Sequence, residues 1–257
     1  MSTINIENYS DFKKSLINEE LNNYSSIAQF QDYFDGIAKY ILGHVAIVIG
    51  DSNSKQIKYY LEEIEFYYNN QQITEVDISF KKDGKDITQK KDFFSCTYKR
   101  ERDAEKLFWH YSGVDICFQS DKTCYGGILI RSISKCEGDE KNTELIAGPL
   151  RCANEIANQS INLKSIPRIE EIKWTTNRIL SVDNIGSTVR QGIENADRYK
   201  IELERIKNVG AEKISDFPFF CYYIKRGREN WKIRVDDKTV NYNSIPEKRN
   251  GIERNIK

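Results

Sequence analysis

Apolar residues with helical spacing begin the chain. The first 35 residues are mostly polar, and their apolar positions have the period of one amphipathic helix. A second helix is predicted over residues 34–43, where Gly43 is a natural C-cap. The apolar positions of the first helix are Phe12, Leu16, Ile17 and Leu21.

Runs rich in β-branched and aromatic residues predict the strands, because such side chains pack well on a pleated surface. A Gly-Pro step at 148–149 begins a further helix, and helical stretches follow near 175–181 and 197–208. Residues 71–106 are charged and irregular, which predicts a long loop with a turn at 82–85. The predicted strands are 44–50, 57–68, 107–120 with a break at Ser112–Gly113, 125–134, 217–225, and a last one near 231–236.

This mixture of helices and closely spaced strands favours one α/β (α+β) domain around a curved, largely antiparallel sheet. We expect an N-terminal helical extension over residues 1–34 and the main domain over 35–230. A basic C-terminal strand and tail would then occupy residues 231–257.

Composition and charge narrow the class of protein. The chain is 39% hydrophobic and 30% charged, which is typical of globular proteins, and its 39 basic residues balance 39 acidic ones. Zero net charge argues against a protein that coats nucleic acid non-specifically. The distribution is uneven, because residues 225–257 hold ten basic and five acidic residues. That excess is either a local positive patch or ordinary solvated surface, and the sequence favours neither.

Cysteine spacing and apolar run length bear on cofactors and location. The six cysteines form no CxxC pair and only two histidines are present, so no metal site or other cofactor is expected. No secretory signal is visible at the N-terminus, and no apolar run is long enough to span a bilayer. We therefore expect a reduced cytoplasmic protein with no membrane partner.

Glu65 is the first candidate for chemistry. Alternation places it on one face of the strand with Leu61, Glu63 and Tyr67. Apolar neighbours tend to raise the pKa of a carboxyl group, so that it can take a proton from water. The alternative is an edge strand with solvated glutamates, and this segment alone favours that alternative.

Arg131 and a group of aromatic residues are the other candidates. An arginine within an apolar strand needs a carboxylate partner if it is buried, although an arginine reaching solvent at a strand end is a common alternative. Gly126 and Gly127, earlier in this strand, predict a bulge or a close backbone approach. Aromatic residues can stack on a nucleobase, but they more often pack in a core. The aromatic group is Phe108, Trp109, His110 and Tyr111.

The order of these segments, rather than any single one, resembles the alkyladenine (3-methyladenine) DNA glycosylase family. The resemblance covers residues 38–225 with gaps. It implies a fold similar to the formyltransferase C-terminal domain. The segments that carry it are AKYILGH, LEEIEFYY, LFWHYSGVDICF, YGGILIRSI, AGPLRCANEIA, and VRQGIENA with FPFFCYYI.

The resemblance also implies roles for individual residues. Glu65 matches the water-activating glutamate, and Arg131 matches the arginine that helps to hold the water. Tyr67 and Trp109 match aromatic residues that stack on an extruded base, and Gln119 matches a pocket asparagine. Ser112 stands where the family has a tyrosine that wedges into DNA, and Arg190 lies in the late Arg-x-Gly-Ile motif; both are expected to contact DNA. The family's pocket histidine has no counterpart, and His110 is the candidate to replace it.

The sequence therefore predicts a monofunctional DNA base-excision glycosylase. Its partner would be double-stranded DNA with a damaged or modified base, and we expect a monomer. The rival interpretation is a catalytically inactive module on the same fold that binds nucleic acid or protein, which zero net charge and the missing wedge tyrosine favour. A formyltransferase-like accessory domain has less support, because no catalytic partner domain is present in the sequence.

Overall fold

The computed structural model describes seventeen segments of the chain between residues 6 and 256. No helix within them is long and apolar enough to cross a membrane. The described residues are 6–17, 19–24, 26–49, 56–69, 76–82, 85–91, 104, 106–118, 125–137, 143–162, 172–174, 184–190, 204–210, 218–225, 232–235, 238–241 and 254–256.

A mixed α/β arrangement is built around a sheet of ten described strands, in which every pairing is antiparallel. The strands of this sheet are β1 (Val45–Ile49), β2 (Ile57–Asn69), β5 (Leu107–His110), β6 (Gly113–Phe118), β7 (Tyr125–Cys136), β8 (Thr143–Ala147), β9 (Ile172–Trp174), β10 (Ile185–Thr188), β11 (Cys221–Ile224) and β14 (Arg254–Asn255). The order along the sheet is β14-β10-β11-β2-β7-β6-β5, with β1 paired to β2, β9 paired to β1, and β8 paired to β7.

Helix α2 (Ile27–His44) covers one face of this sheet. It begins with a capping box between Ser26 and Gln29, and its aromatic side packs on the strands. The ring of Phe34 stacks on that of Phe66 with centroids 4.4 Å apart. Gly43 lies inside this helix rather than capping it, because His44 continues the helix and Val45 begins β1 directly. The predicted C-cap was therefore wrong.

The N-terminal segment is divided into three helical pieces, not the single helix that the spacing predicted. Helix α1 (Tyr9–Ser15) and a 3₁₀ helix (Glu19–Asn23) precede α2. Phe12 and Leu21 are fully buried in the same core as α2, whereas Ile17 is 64% exposed. The predicted domain boundary between residues 34 and 35 falls within α2, so the helical segment and the sheet share one core.

The predicted loop over residues 71–106 contains a β-hairpin, formed by β3 (Val76–Lys82) and β4 (Lys85–Lys91). The loop prediction was wrong there because the density of lysine and aspartate hid an alternating pattern at Val76, Ile78 and Phe80. The predicted turn at 82–85 falls between these strands, and its two central residues lie outside the described ones.

The other predicted elements divide into three groups. The Gly-Pro step begins α3 (Pro149–Asn162), as predicted. Residues 204–209 are helical, in agreement with the later part of the 197–208 prediction, but residues 175–181 lie outside the described residues. The expected last strand is β12 (Lys232–Val235), which forms a hairpin with β13 (Lys238–Asn241).

Part of the expected C-terminal tail returns to the sheet, because Arg254–Asn255 pairs with β10. The Arg254 guanidinium donates to Asp35 on α2 and, at 3.1 Å, to the hydroxyl of Ser187. Residues 254–256 are therefore part of the folded structure, which the polar sequence around them did not indicate. A partner on a distant helix explains the miss, since sequence patterns report only local periodicity.

Candidate active site

The two faces of the sheet differ in chemistry. Directly paired residues share a face, and the pairings run from Asp115 through Leu129 and Glu65 to Cys221. We call the face that carries this row the polar face. The alternate row contains Ile116, Ile128 and Phe66 and faces α2.

Glu65 is completely buried at the centre of the polar face. Its Oε2 accepts a hydrogen bond from Nη1 of Arg131 at 3.0 Å, and Arg131 itself is only 9% exposed. Burial alone would lower the pKa of Arg131, but the Glu65 and Glu63 carboxylates raise it above its ordinary value. Glu65 is therefore a carboxylate partner of the kind that a buried arginine requires, joined to Arg131 by a charge-assisted hydrogen bond.

Glu63 is a second carboxylate on the same arginine. Its Oε1 accepts from Nε of Arg131 at 3.0 Å, and its Oε2 accepts from the hydroxyl of Ser132 at 3.1 Å. The thiol of Cys221 also lies 3.4 Å from Oε1. Arg131 therefore bridges two buried carboxylates, an arrangement that holds Glu65 in one orientation.

Burial of the glutamates removes one alternative from the sequence analysis. Glu62, Glu63 and Glu65 are at most 2% exposed, and β2 pairs with neighbours on both sides. They are thus not solvated residues of an edge strand. Arg131 lies within β7, not at its end, so it is not an arginine that reaches solvent there.

Tyr67 links Glu65 to Arg190. Its hydroxyl donates to Oε2 of Glu65 at 2.8 Å, the oxygen that also accepts from Arg131. Burial, followed by the nearby Glu65 carboxylate, raises the pKa of the Tyr67 hydroxyl well above its ordinary value, so it remains a donor. The Arg190 guanidinium lies 4.2 Å from the centroid of the Tyr67 ring and is 6% exposed. Arg190 thus covers a face of Tyr67 in this structure.

Trp109 lies on the other face from this group. In the β5–β6 hairpin, Trp109 is paired with Val114, whereas Phe108 and His110 are paired with Asp115 and Gly113. Because faces alternate along a strand, Phe108 and His110 share the polar face and Trp109, 37% exposed, does not. The structure therefore brings His110, rather than Trp109, onto the face of Glu65.

His110 is held at both ring nitrogens. Nε2 lies 3.0 Å from Oδ1 of Asp115, and Nδ1 lies 2.9 Å from Oγ of Ser112. Its ring also stacks on Phe108 at a centroid distance of 6.1 Å. His110 and Ser112 were candidates from the sequence, whereas Asp115 and Glu63 were not predicted as site residues. Asp115 gave the same signal as Arg131, a charged residue within an apolar strand.

The remaining expectations concern Gln119, the glycines and metal ions. Gln119 lies outside the described residues. Gly126 and Gly127 lie in a regular part of β7, and side chains rather than backbone approach them: an added Cβ would lie 2.3 Å from the Phe118 ring and 2.4 Å from Oδ2 of Asp115. Among the described residues, no group of three or more potential metal ligands comes together.

No protein-family model matches the chain, and no curated protein matches it in sequence. The arrangement of the polar face must therefore be interpreted from its own chemistry: a fixed carboxylate, an arginine, a phenol and a held imidazole.

Proposed function

We propose that this protein is a divergent member of the alkyladenine DNA glycosylase family, which hydrolyses the N-glycosidic bond of a base extruded from duplex DNA. One observation carries the proposal: Oε2 of Glu65 accepts hydrogen bonds from both Arg131 and Tyr67 in a buried site. A carboxylate fixed in this way has a defined direction in which to accept a proton from water. The finer fold assignment, similar to the formyltransferase C-terminal domain, belongs to the same proposal.

The mechanism follows from the positions of these side chains. Extrusion of a nucleotide costs a few kcal/mol, less when the base is damaged or weakly paired. Tyr67 lies beside Glu65, so a base stacked on its ring would bring the sugar close to the carboxylate. Glu65 takes a proton from water as the oxygen attacks the anomeric carbon, and Arg131 keeps Glu65 oriented. No lysine nucleophile lies in the motifs, so the product is an abasic site in an unbroken strand.

The expected partner is double-stranded DNA with a damaged or modified base, and the enzyme would act as a cytoplasmic monomer. Arg190 would serve this reaction by holding Tyr67, since its guanidinium covers that ring and its Nη1 donates to the carbonyl of Phe66 at 3.2 Å. Ser112, at the turn between β5 and β6, stays a candidate for contact with DNA.

A second candidate function is a binding module on the same fold without catalysis. Complete burial of Glu65, with its charge paired to Arg131, favours it, because such a pair can serve the fold alone. The two functions differ in a direct measurement: a binding module retains modified DNA without releasing a base.

The test is release of free base from duplexes with alkylated, deaminated or hypermodified bases, measured by chromatography, with alkaline cleavage used to detect abasic sites. Glu65→Gln should lower the single-turnover rate by about 10²–10⁴-fold, because the general base is lost. Glu62→Gln is the matched control, since Glu62 is equally buried on the same strand but accepts from Ser134. Equal rates for wild type and Glu65→Gln would overturn the mechanism, and binding without any base release would favour the binding module.

A further inference from the structure

The ring of Tyr67 is covered on one face by Arg190. The Arg190 guanidinium lies 4.2 Å from the ring centroid, and its Nη1 donates to the carbonyl of Phe66 at 3.2 Å. A guanidinium is planar and positively charged, so it stacks on an aromatic face much as a nucleobase does. Arg190 thus occupies one of the two ring faces on which a base could stack.

The pairing of the strands explains how Arg190 reaches this ring. Thr188, Cys221 and Glu65 form one row across β10, β11 and β2. Both β10 and β2 are antiparallel to β11, so they run in the same direction. Two residues further along each chain, Arg190 therefore lies level with Tyr67 on the polar face. Arg190 approaches the ring from beyond the end of β10, outside the ladder of strand hydrogen bonds.

The opposite side of Tyr67 is filled by side chains that are held more firmly. There Tyr67 is paired with Gly127, and an added Cβ at Gly127 would lie 2.4 Å from Oδ2 of Asp115. Oδ1 of Asp115 lies 3.0 Å from Nε2 of His110, and both residues belong to paired strands of one hairpin. A short side chain fixed in this way has few alternative rotamers, whereas a long arginine beyond a strand end has many.

Access of a base to Glu65 therefore depends on Arg190. Glu65 is completely buried, and Arg190 is only 6% exposed. A base needs an uncovered face of Tyr67 if it is to lie beside Glu65. Of the two described groups that flank the ring, Arg190 is the one that can leave. Its charge needs a new partner when it does, and a DNA phosphate accepts two parallel hydrogen bonds from a guanidinium.

Resting on the proposed glycosylase function, we propose that Arg190 and the extruded base exchange positions. In the free protein Arg190 covers Tyr67 and holds it. When DNA binds, the guanidinium moves to a backbone phosphate, and the base stacks on the ring face that has been uncovered. The expectation that Arg190 contacts DNA and its burial on Tyr67 then describe two states of one side chain.

The exchange makes two properties depend on Arg190 in opposite directions. A residue that occupies the position of a ligand lowers the apparent affinity for that ligand by the fraction of protein that is open. If the open form is populated at about 1–10%, removing the guanidinium should strengthen binding of the free base by about 10- to 100-fold. The same change removes a phosphate contact, so it should weaken binding to duplex DNA.

The test compares Arg190→Ala with the wild-type protein in two measurements. The first is the salt dependence of affinity for a short unmodified duplex, where the slope of log K against log salt should fall by about 0.9. The second uses the duplex in the panel from which the wild-type protein releases a base. That base, added free, should inhibit its own release with an inhibition constant about 10- to 100-fold lower in the variant.

Two further variants complete the comparison. Arg190→Lys should keep the salt slope but lower the inhibition constant by less, because an ammonium group keeps the charge without the planar stacking group. Arg205→Ala is the matched control, since it removes an exposed arginine of the helical segment 204–209. Its inhibition constant should equal that of the wild-type protein.

An inhibition constant that is unchanged or higher in Arg190→Ala would overturn the exchange, and an unchanged salt slope would overturn the phosphate contact. Loss of folding weakens both kinds of binding, so it cannot imitate changes in opposite directions. If Arg190→Ala does not fold, Arg190→Lys makes the same test. A wild-type protein that releases no base from any duplex contradicts the proposed function instead, and the salt measurement, which needs no base release, still tests the phosphate contact.

Discussion

The two faces of strands β2 and β7 share one backbone, but their side chains are held by different interactions. On the α2 face, Phe66 packs against Phe34 and Phe118, with no charge present among these rings. On the polar face, Glu65 and Arg131 are equally buried but depend on a charge-assisted hydrogen bond. Apolar burial stabilises a fold directly, whereas a buried ion pair roughly balances its own desolvation cost. The Phe66 cluster therefore stabilises the fold directly, whereas the buried ion pairs, Glu65–Arg131 on the polar face and Asp35–Arg254 at α2, add little net stability.

Arg131→Met should produce the largest change, because it affects both stability and activity. It leaves Glu63 and Glu65 buried without their cation, which should lower the free energy of unfolding by about 3–5 kcal/mol. The rate of base release should also fall, because Glu65 loses the arginine that orients it. Urea denaturation and the base-release assay measure the two losses. Adding Glu63→Gln and Glu65→Gln to this variant should recover stability but not activity, and failure to recover stability would show that the ion pairs are not its source.

Phe66→Ala should match that loss of stability while leaving chemistry intact in the folded fraction. Removing a fully buried aromatic ring costs about 3–5 kcal/mol. At the next position, Tyr67→Phe removes only the hydroxyl that donates to Glu65. It should therefore cause a smaller loss of stability and a larger loss of activity than Phe66→Ala. Equal effects of the two substitutions on activity would contradict the division between the faces.

Gly127→Ala should have an intermediate effect confined to the polar face. The new methyl group meets the Asp115 carboxylate, and such overpacking costs about 1–3 kcal/mol. Gly43→Ala is the control, since nothing lies within 4 Å of its added Cβ and a helical alanine should stabilise the fold by about 0.5–1 kcal/mol. A stabilising Gly127→Ala would contradict the close approach.

Alkaline pH should give the smallest and most gradual effect. Burial, and then the Asp35 carboxylate, raises the pKa of Tyr222 well above 10, as burial and Glu65 do for Tyr67. A tyrosine with a raised folded-state pKa contributes stability that is fully present below its unfolded pKa and is lost as pH rises above it. The free energy of unfolding should therefore fall above about pH 10, by up to about 1.4 kcal/mol per pH unit for each such group.

Tyr222→Phe should reduce this alkaline slope on the α2 face, and Tyr67→Phe should reduce it on the polar face. Urea denaturation at several values between about pH 8 and pH 11 measures the slopes. An alkaline slope unchanged in both variants would assign the loss to other groups.

Much of the sheet could be predicted from the sequence, because strand signals are local. The runs that became β1, β2, β6, β7 and β11 are rich in β-branched and aromatic residues. The hairpin of β3 and β4 was missed, since charged residues outnumber the apolar positions that alternate in it. The docking of Arg254 against Asp35 was also missed, because its partners are 219 residues apart.

The candidate site was predicted only in part. Glu65, Tyr67 and Arg131 come together as the motif order implied. Trp109 does not share their face, because the hairpin register pairs it with Val114. Asp115 lies on the polar face because the same hairpin pairs it with Phe108.

The sequence by itself determined that Glu63, Glu65 and Tyr67 share one face of β2 and that Phe66 lies on the other, because alternation is a property of the extended backbone and needs no neighbour. Only the tertiary structure decided which polar residues meet. Pairing of β2 with β7, with its register shift at Glu63, brings the Arg131 side chain to both Glu63 and Glu65, and the β5–β6 hairpin brings Asp115 to His110. A shift of one residue in register would turn these side chains to the other face, so their contacts depend on long-range pairing that no local pattern encodes.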